Sequence, residues 1–179
     1  TPTSLYETAV FQWVWLEQAI ERGLIPESSD QFNSLHEALT GAFSQMGLRG
    51  ILHLACCKES EEDEGTVEYM ADCARQGGVE TRLIYVEDIG LDSEGRFTDM
   101  QDELIHNLFK LYPWEWIMID TFGESVPNSN TRFIEPGWKS ILSNKGLLPL
   151  LWEMFEGHPN LLPAWFEGDP SAAELGGDY

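Results

Sequence analysis

The stretch Gly50-Ile-Leu-His-Leu-Ala-Cys-Cys57 decides the fold, because it is a short and nearly continuous apolar run. Such runs are typical of strands that are buried on both faces of a sheet. A helical pattern follows over 66–76 and ends at Gly77-Gly78, and a second strand is predicted at 81–86. We expect the inward face of this helix to consist of Val67, Met70, Ala71 and Ala74.

The next stretch continues the alternation of strands and helices. A helix predicted at 100–111 has an apolar stripe, and a third strand is predicted at 116–120. Strand, helix, strand, helix and strand within about 70 residues predict an α/β fold with a parallel, Rossmann-like sheet. Ligands of such sheets bind beyond the carboxyl ends of the strands. The three predicted ends carry the acidic segment 59–64, Glu87-Asp88 and Asp120.

Helices are also predicted before and after this sheet along the sequence. Apolar residues indicate amphipathic helices over 4–21 and 32–46, so the sheet has an added N-terminal helical segment. Beyond Gly123 the strand pattern fades, and a last helix is predicted from Ser143 to Phe155. We expect a helical segment at 1–47, a parallel α/β substrate-binding unit at 48–123, a helical extension at 124–167, and a linker or disordered tail at 168–179.

The charge of the chain limits its partners. The 179 residues include 10 Lys and Arg against 31 Asp and Glu, so the formal net charge is −21. This charge disfavours nucleic acid and anionic membrane surfaces, whereas amines and divalent metals remain open. No apolar run reaches the roughly 18 residues that a membrane-spanning helix needs. Cys56, Cys57 and Cys73 lack disulfide or metal-ligand spacing, so we expect buried reduced thiols in a cytoplasmic protein.

An acidic cluster follows the first predicted strand. Residues 58–64 read Lys-Glu-Ser-Glu-Glu-Asp-Glu. Several carboxylates close together at the end of a parallel strand favour the binding of a cationic substrate. The alternative is a solvated loop in which Asp63 and Glu64 only stabilise the start of the following helix.

A second candidate site is Tyr112-Pro-Trp-Glu-Trp116, which places Glu115 between two indoles. A desolvated carboxylate there would bind an ammonium group with help from the aromatic faces. The alternative is an aromatic core plug with Glu115 turned outward. The four histidines lack metal-ligand spacing, and GxSxG, GxGxxG and Walker-type motifs are absent from the sequence. We therefore expect no metal ligands in this chain, and its residues alone assign no catalytic group.

Five segments of the sequence are distinctive when taken together. They are TPTSLYETAVFQWVWL (1–16), DQFNSLHEAL (30–39), EEDEGTVEYMADCARQGG (61–78), LFKLYPWEW (108–116) and EPGWKSILSNKGLLPLLWEMFEGHPNLLPAWF (135–166). Together they resemble the glutathionylspermidine synthase family, which comprises ligases of the ATP-grasp superfamily related to trypanothione synthetases. The resemblance covers nearly the whole chain, from Thr1 to about Phe166.

The resemblance implies an activity. Members of this family use ATP to activate a carboxylate as an acyl phosphate, which a primary amine attacks to form an amide. ATP and Mg²⁺ are thus the implied cofactors of the full-length enzyme, and its implied substrates are a glutathione-like peptide and a spermidine-like amine. In the family, metal ligands precede the segment matching Thr1, and ATP-binding lysines follow the position of Tyr179. We therefore expect an internal piece of a ligase that is inactive by itself.

The resemblance also implies substrate-binding residues, namely Thr1, Thr3, Asp63, Glu64, Glu115 and Trp116. Asp63 and Glu64 match an acidic pair that faces the amine and the peptide. Better described members have Thr in place of Trp116, so we expect this indole to reshape the peptide pocket. Two other functions fit the same residues. One is a non-catalytic acidic module that binds a polyamine or a divalent cation, and the other is an oligomeric scaffold, because seven Trp is high for this length.

Overall fold

The centre of the fold is a parallel sheet. The computed structural model describes residues 5–31 and 33–175, apart from the side chains of 173–175. Its strands are β1 (Leu52–Cys56), β2 (Thr81–Tyr85), β3 (Gly90–Leu91), β4 (Phe97–Thr98), β5 (Asn107–Lys110) and β6 (Arg132–Ile134). In the described residues the main sheet has the order β2-β1-β5-β6, and all its neighbouring strands are parallel. The predicted α/β class is confirmed. The predictions for Thr1, Thr3, Phe32 and 176–179 lie outside the described residues.

Burial explains why β1 is central. All five of its residues are buried, and Leu54 pairs with Leu83 on one side and with Phe109 on the other. A strand with apolar side chains on both faces needs cover on both faces. Helices pack on one face, and the hairpin of β3 and β4 with its following loop covers the other.

The helices are α1 (Gln12–Glu21), α2 (Leu35–Gln45), α3 (Glu61–Gln76), α4 (Trp114–Ile119), α5 (Ser140–Ser143) and α6 (Leu147–Met154). Of these, α1, α2, α3 and α6 lie in segments predicted to be helical. Helix α3 begins five residues before the predicted position, because the Ser60 hydroxyl accepts the Asp63 N–H at 3.3 Å as an N-cap. The acidic residues of 61–64 therefore form its first turn, where negative charge stabilises the helix.

Two predicted elements are wrong, and they exchange places. The stretch predicted as a helix at 100–111 is a tight loop followed by β5, whereas the strand predicted at 116–120 is helix α4. Asp102 has a left-handed φ of 59°, which a helix does not permit, and Leu108 and Phe109 are buried on opposite faces. Pro113 directly precedes α4, and its backbone oxygen accepts the N–H groups of Trp116 and Ile117, each at 3.2 Å, as the helix begins.

The strand β6 was not predicted from the sequence. It adds to β5 in parallel, with Phe109 opposite Ile134. The strand is only three residues long and half-exposed, so its composition carries little pattern. This segment forms a strand because it pairs with β5, and its own sequence has no clear strand pattern.

The chain divides into two compact units, Thr1–Pro136 and Gly137–Tyr179. The second unit contains α5, α6 and 3₁₀ turns at Gly137–Lys139 and Pro170–Leu175. Inside it, the Trp152 and Trp165 rings meet edge to face with centroids 6.2 Å apart. In the part of the chain that the structure describes, no helix is long and apolar enough to cross a membrane.

Candidate functional site

The carboxyl edge of the sheet brings several predicted segments together. The loop after β1 leads into the first turn of α3, the loop after β2 carries Glu87 and Asp88, and the segment after β5 is 111–116. Asp120 was predicted to follow the third strand, but it follows α4 instead. The third strand of the main sheet along the chain is β5, which ends at Lys110. The segment 112–116 therefore lies at this edge, where Asp120 was expected.

The acidic pair Asp63 and Glu64 in α3 differs in burial from the other acidic residues of the same turn. Asp63 and Glu64 are half-buried, whereas Glu61 and Glu62 are exposed. Glu64 accepts a hydrogen bond of 3.0 Å from the hydroxyl of Tyr85, the last residue of β2. This bond raises the pKa of Tyr85 and joins the start of α3 to the second strand. The partner Tyr85 could not be found from sequence spacing, because the contact depends on the pairing of β1 with β2.

Lys58 shows how this edge holds an ammonium group. Its Nζ atom lies 2.5 Å from Oδ1 of Asp88 and 5.8 Å from the centre of the Tyr85 ring. Its backbone N–H donates to Oε1 of Glu87 at 3.2 Å. A carboxylate beside an aromatic face is a favourable environment for a cation. The loops after β1 and β2 are thus joined through one internal amine.

The three cysteines of the chain are unreactive in character. Burial, and then the charges of Glu64 and Asp63, raise the pKa of Cys56 to about 11. Burial also raises the pKa of Cys57 and Cys73. All three thiols are free, as predicted, although Cys57 is only half-buried. Thiols with raised pKa values are poor nucleophiles near neutral pH.

The second candidate segment is an arm that leaves β5 and enters α4. Trp114 is buried, and its indole N–H donates to the backbone oxygen of Glu135 at 3.3 Å. Trp116 is 55% exposed and meets the Tyr112 ring edge to face at 5.4 Å. Glu115 is exposed, so the structure matches the aromatic plug with an outward carboxylate rather than a desolvated one.

Tyr112 is the first residue of the arm and is half-buried. Burial, followed by the charges of Asp120, Cys57 and Glu87, raises the pKa of this phenol. Tyr112 and Asp120 also line the same cavity. The pair at 63–64 and the pair at 115–116 lie on neighbouring segments of one edge.

Lys110, the last residue of β5, was missed by the sequence analysis because it lay in a predicted helix. Its Nζ atom donates to the backbone oxygen of Tyr112 at 2.7 Å and lies 4.0 Å from the centre of the Trp114 ring. Burial lowers the pKa of Lys110 to about 8, against the opposing charges of Glu135 and Glu115. A lysine whose pKa is this low is a candidate functional group.

Two cavities adjoin this edge. One has a volume of about 290 Å³ and follows the outer edge of β2, between Glu64, Tyr85 and Asp88 at one end and Met100 and Gln101 at the other. The other has a volume of about 50 Å³ and lies on the face of the sheet that the hairpin of β3 and β4 covers. Its lining is mostly apolar and consists of Val86, Ile89, Phe97, Leu108, Lys110, Tyr112, Ile117, Asp120, Phe122 and Phe133.

The described residues do not fit a metal centre. Among residues 5–31 and 33–175, no group of three or more His, Cys, Asp and Glu side chains is placed to hold a metal ion. Asp63 and Glu64 are only two carboxylates, and Glu64 is already bonded to Tyr85.

A four-stranded parallel sheet covered by helices on one face defines the class as an open-sheet α/β protein, here with acidic residues at the carboxyl edge. The profile of the family described as "Glutathionylspermidine synthase preATP-grasp" matches residues 1–176. The chain therefore belongs to this family, and the resemblance stated from the sequence is confirmed.

Named relatives agree with this assignment. The chain is 46% identical, over 93% of its length, to a Haemophilus influenzae protein whose provisional name is acid–amine ligase. It is 26% identical over 90% of its length to the bifunctional glutathionylspermidine synthetase/amidase of Escherichia coli. It is 25% identical over 92% of its length to the trypanothione synthetase of Crithidia fasciculata. The matches span 42%, 30% and 28% of these relatives, respectively, which is less than half of each.

Proposed function

We propose that this chain is the substrate-binding part of an ATP-dependent acid–amine ligase that forms an amide through an acyl phosphate. Membership of the family supports the reaction class, because its named relatives are ligases. The observation that carries the binding role is the carboxyl edge, where Lys58 already pairs with Asp88 beside the Tyr85 ring. An edge that holds an internal amine has the chemistry to hold a substrate amine.

The amine is proposed to bind at Asp63 and Glu64. Both side chains are half-buried at the crevice, and Glu64 is oriented by the Tyr85 hydroxyl. A partly desolvated carboxylate makes a stronger bond to an ammonium group than an exposed one does. The neighbouring cavity of about 290 Å³ has room for an aliphatic amine. A spermidine-like amine is the proposed substrate, as the names of the relatives suggest.

The acid is proposed to bind along the arm at 112–116. The exposed Trp116 indole is available to pack on a peptide, and Glu115 lies beside it on the first turn of α4. Thr1 and Thr3 are proposed as further contacts of the same peptide.

ATP and Mg²⁺ are proposed as the cofactors of a full-length enzyme similar in length to the relatives. The described residues do not fit a metal ion, so no step through Mg²⁺ is assigned to this chain. The chain by itself is proposed to be inactive. ATP hydrolysis by the isolated chain with glutathione and spermidine would contradict this part of the proposal.

The binding role is tested by calorimetric titration of the chain with spermidine in 150 mM salt. Glu64→Gln removes one charge-assisted bond, and we expect spermidine binding to weaken about tenfold or more. Glu61→Gln is the matched control, because it removes the same charge from an exposed position in the same turn. We expect its effect to be less than twofold.

If both substitutions weaken spermidine binding equally, spermidine is attracted only by the net charge of −21 and not by a site at Glu64. That result would favour the alternative function, a non-catalytic acidic module for polyamines or divalent cations. Titration with MgCl₂ in place of spermidine separates these two ligands.

A further inference from the structure

Asp88 is a second carboxylate at the end of the cavity where Glu64 lies. The cavity of about 290 Å³ is lined there by Glu64, Tyr85 and Asp88. The Tyr85 hydroxyl donates to Oε1 of Glu64 at 3.0 Å, and the ring of the same residue lies 5.8 Å from the Nζ atom that Asp88 binds. One aromatic side chain therefore borders two anionic positions.

The position beside Asp88 already holds an ammonium group, which is that of Lys58. Its Nζ atom lies 2.5 Å from Oδ1 of Asp88, but the Lys58 side chain is 47% exposed. Ion pairs this open to water are weak, so another cation can compete for the carboxylate. The backbone N–H of Lys58 donates to Glu87, and this bond can hold the loop in place when the side chain leaves.

The charges along the cavity favour one end for a positively charged ligand. Arg82, near the start of β2, lines the part farther from the acids, and its guanidinium bonds to Asp99 and to Glu103. A ligand cation is less favoured beside this guanidinium than beside Glu64 and Asp88. The ammonium groups of a polyamine are therefore expected at the end with the two carboxylates.

We propose that Asp88 is a second anchor for the amine substrate and that Lys58 is an internal competitor for this anchor. Resting on the proposed function, one ammonium group of a polyamine binds at Glu64, and a second one displaces Lys58 from Asp88. Two carboxylates select amines with at least two ammonium groups over monoamines, which reach only one of them. The bound Lys58 side chain lowers the apparent affinity for the polyamine by the fraction of Asp88 that it occupies.

Calorimetric titration of the full chain with spermidine tests the competition. Lys58→Gln leaves Asp88 unoccupied, and we expect spermidine to bind about two- to fivefold more tightly. Arg75→Gln is the control for net charge, because it removes one positive charge near the other end of α3. This position lies roughly 16 Å from Glu64 along the helix, beyond the screening length of about 8 Å at physiological salt, so we expect unchanged affinity.

Asp88→Asn separates the second anchor from the first. We expect it to weaken spermidine binding about five- to tenfold, because one charge-assisted bond is lost. Butylamine has one ammonium group and is proposed to bind at Glu64, so its affinity should stay the same. Lys58→Gln added to Asp88→Asn should have no further effect on spermidine binding, because the competition needs both partners.

Three results would overturn the proposal: unchanged or weaker spermidine binding by Lys58→Gln, equal tightening by Arg75→Gln, and a tightening that persists in Asp88→Asn. A purely structural ion pair predicts the first result together with a lower melting temperature of Lys58→Gln. If Asp88→Asn fails to fold, the comparison of Lys58→Gln with Arg75→Gln still decides.

The failure of this proposal differs from the failure of the amine site at Glu64. Weakening by Glu64→Gln without a response to Lys58→Gln refutes the second anchor alone. Tightening by Lys58→Gln without weakening by Glu64→Gln refutes the Glu64 site and supports Asp88. If spermidine binds neither the unaltered chain nor Lys58→Gln, both proposals are refuted.

Discussion

We expect Asp99→Asn to weaken the sheet that positions the candidate site. The Asp99 carboxylate is fully excluded from solvent, and its Oδ1 atom accepts the backbone N–H groups of Gln101 (2.9 Å) and Glu103 (3.0 Å). Its Oδ2 atom accepts from the Arg82 guanidinium and lies 3.3 Å from Nε2 of His53. These bonds tie the loop after β4 to the first residues of β1 and β2.

The size of the effect follows from the bonds at Oδ2. Asparagine keeps one oxygen for the backbone donors but turns an NH₂ group toward Arg82, which is itself a donor. The Asp99 carboxylate is buried but the Arg82 side chain is 31% exposed, so breaking this pair should cost about 3 kcal/mol, the lower end of the range for buried pairs. The pKa of Asp99 provides a second measure. Burial opposes ionisation, but Arg82 and the backbone N–H groups of the loop lower the pKa from 3.8 to about 2, which corresponds to a stabilisation on the order of 2 kcal/mol.

Thermal unfolding measures this loss. A destabilisation of about 3 kcal/mol should lower the melting temperature by roughly 6 to 12 °C in a chain of this size. The control is Asp102→Asn, because Asp102 is exposed in the same loop and its left-handed φ of 59° also suits asparagine. The lowered pKa of Asp99 stabilises the unaltered chain fully above pH 4 and progressively less toward pH 2. Equal melting temperatures of the two variants would refute this reasoning.

Three further predictions concern packing, protonation and thiols. Gly77→Ala places a Cβ atom 2.8 Å from the backbone oxygen of Thr40, so urea unfolding should show a loss of about 1 to 3 kcal/mol, whereas Gly41→Ala has open space. Burial holds the pKa of His53 below 6.5 despite its bond to Asp99, so the unfolded chain binds more protons and stability should fall from pH 6.5 to pH 5. His53→Gln should flatten that slope. The raised pKa values of the thiols predict slow alkylation by iodoacetamide at pH 7.5 and fast alkylation in urea.

Each of these predictions has a clear contrary result. A Gly77→Ala variant as stable as Gly41→Ala would mean that the end of α3 moves away from α2 at no cost. Equal stability at pH 6.5 and pH 5 would mean that His53 is not held neutral by burial. Alkylation of the native thiols at the rate seen in urea would mean that they are open to solvent.

The sheet was predictable where one segment carried enough information. β1 has apolar side chains on both faces and β2 has a recognisable run, so both strands follow from local sequence. The region 100–120 was not predictable in this way, because its short apolar runs fit a helix and a strand equally well. The left-handed Asp102 and the pairing of β5 with β1 decide the outcome, and the second of these is a long-range contact.

The sequence was sufficient to predict the acidic residues of the candidate site, but not Lys110 or the bond between Tyr85 and Glu64. Asp63 and Glu64 follow a predicted strand, so their place at the carboxyl edge could be expected from parallel topology. The bond from Tyr85 to Glu64 and the cavity beside Lys110 depend on how separate strands align. No spacing within the sequence encodes either contact.

The central claim is that the carboxyl edge of the sheet binds the amine of an acid–amine ligase. The most direct test is a titration of the ¹⁵N-labelled chain with spermidine, followed by amide chemical shifts in 150 mM salt. We predict saturable shifts concentrated at the first turn of α3, the loop after β2 and the arm at 112–116. Shifts spread evenly over the acidic surface, or confined to residues 137–175, would contradict the claim.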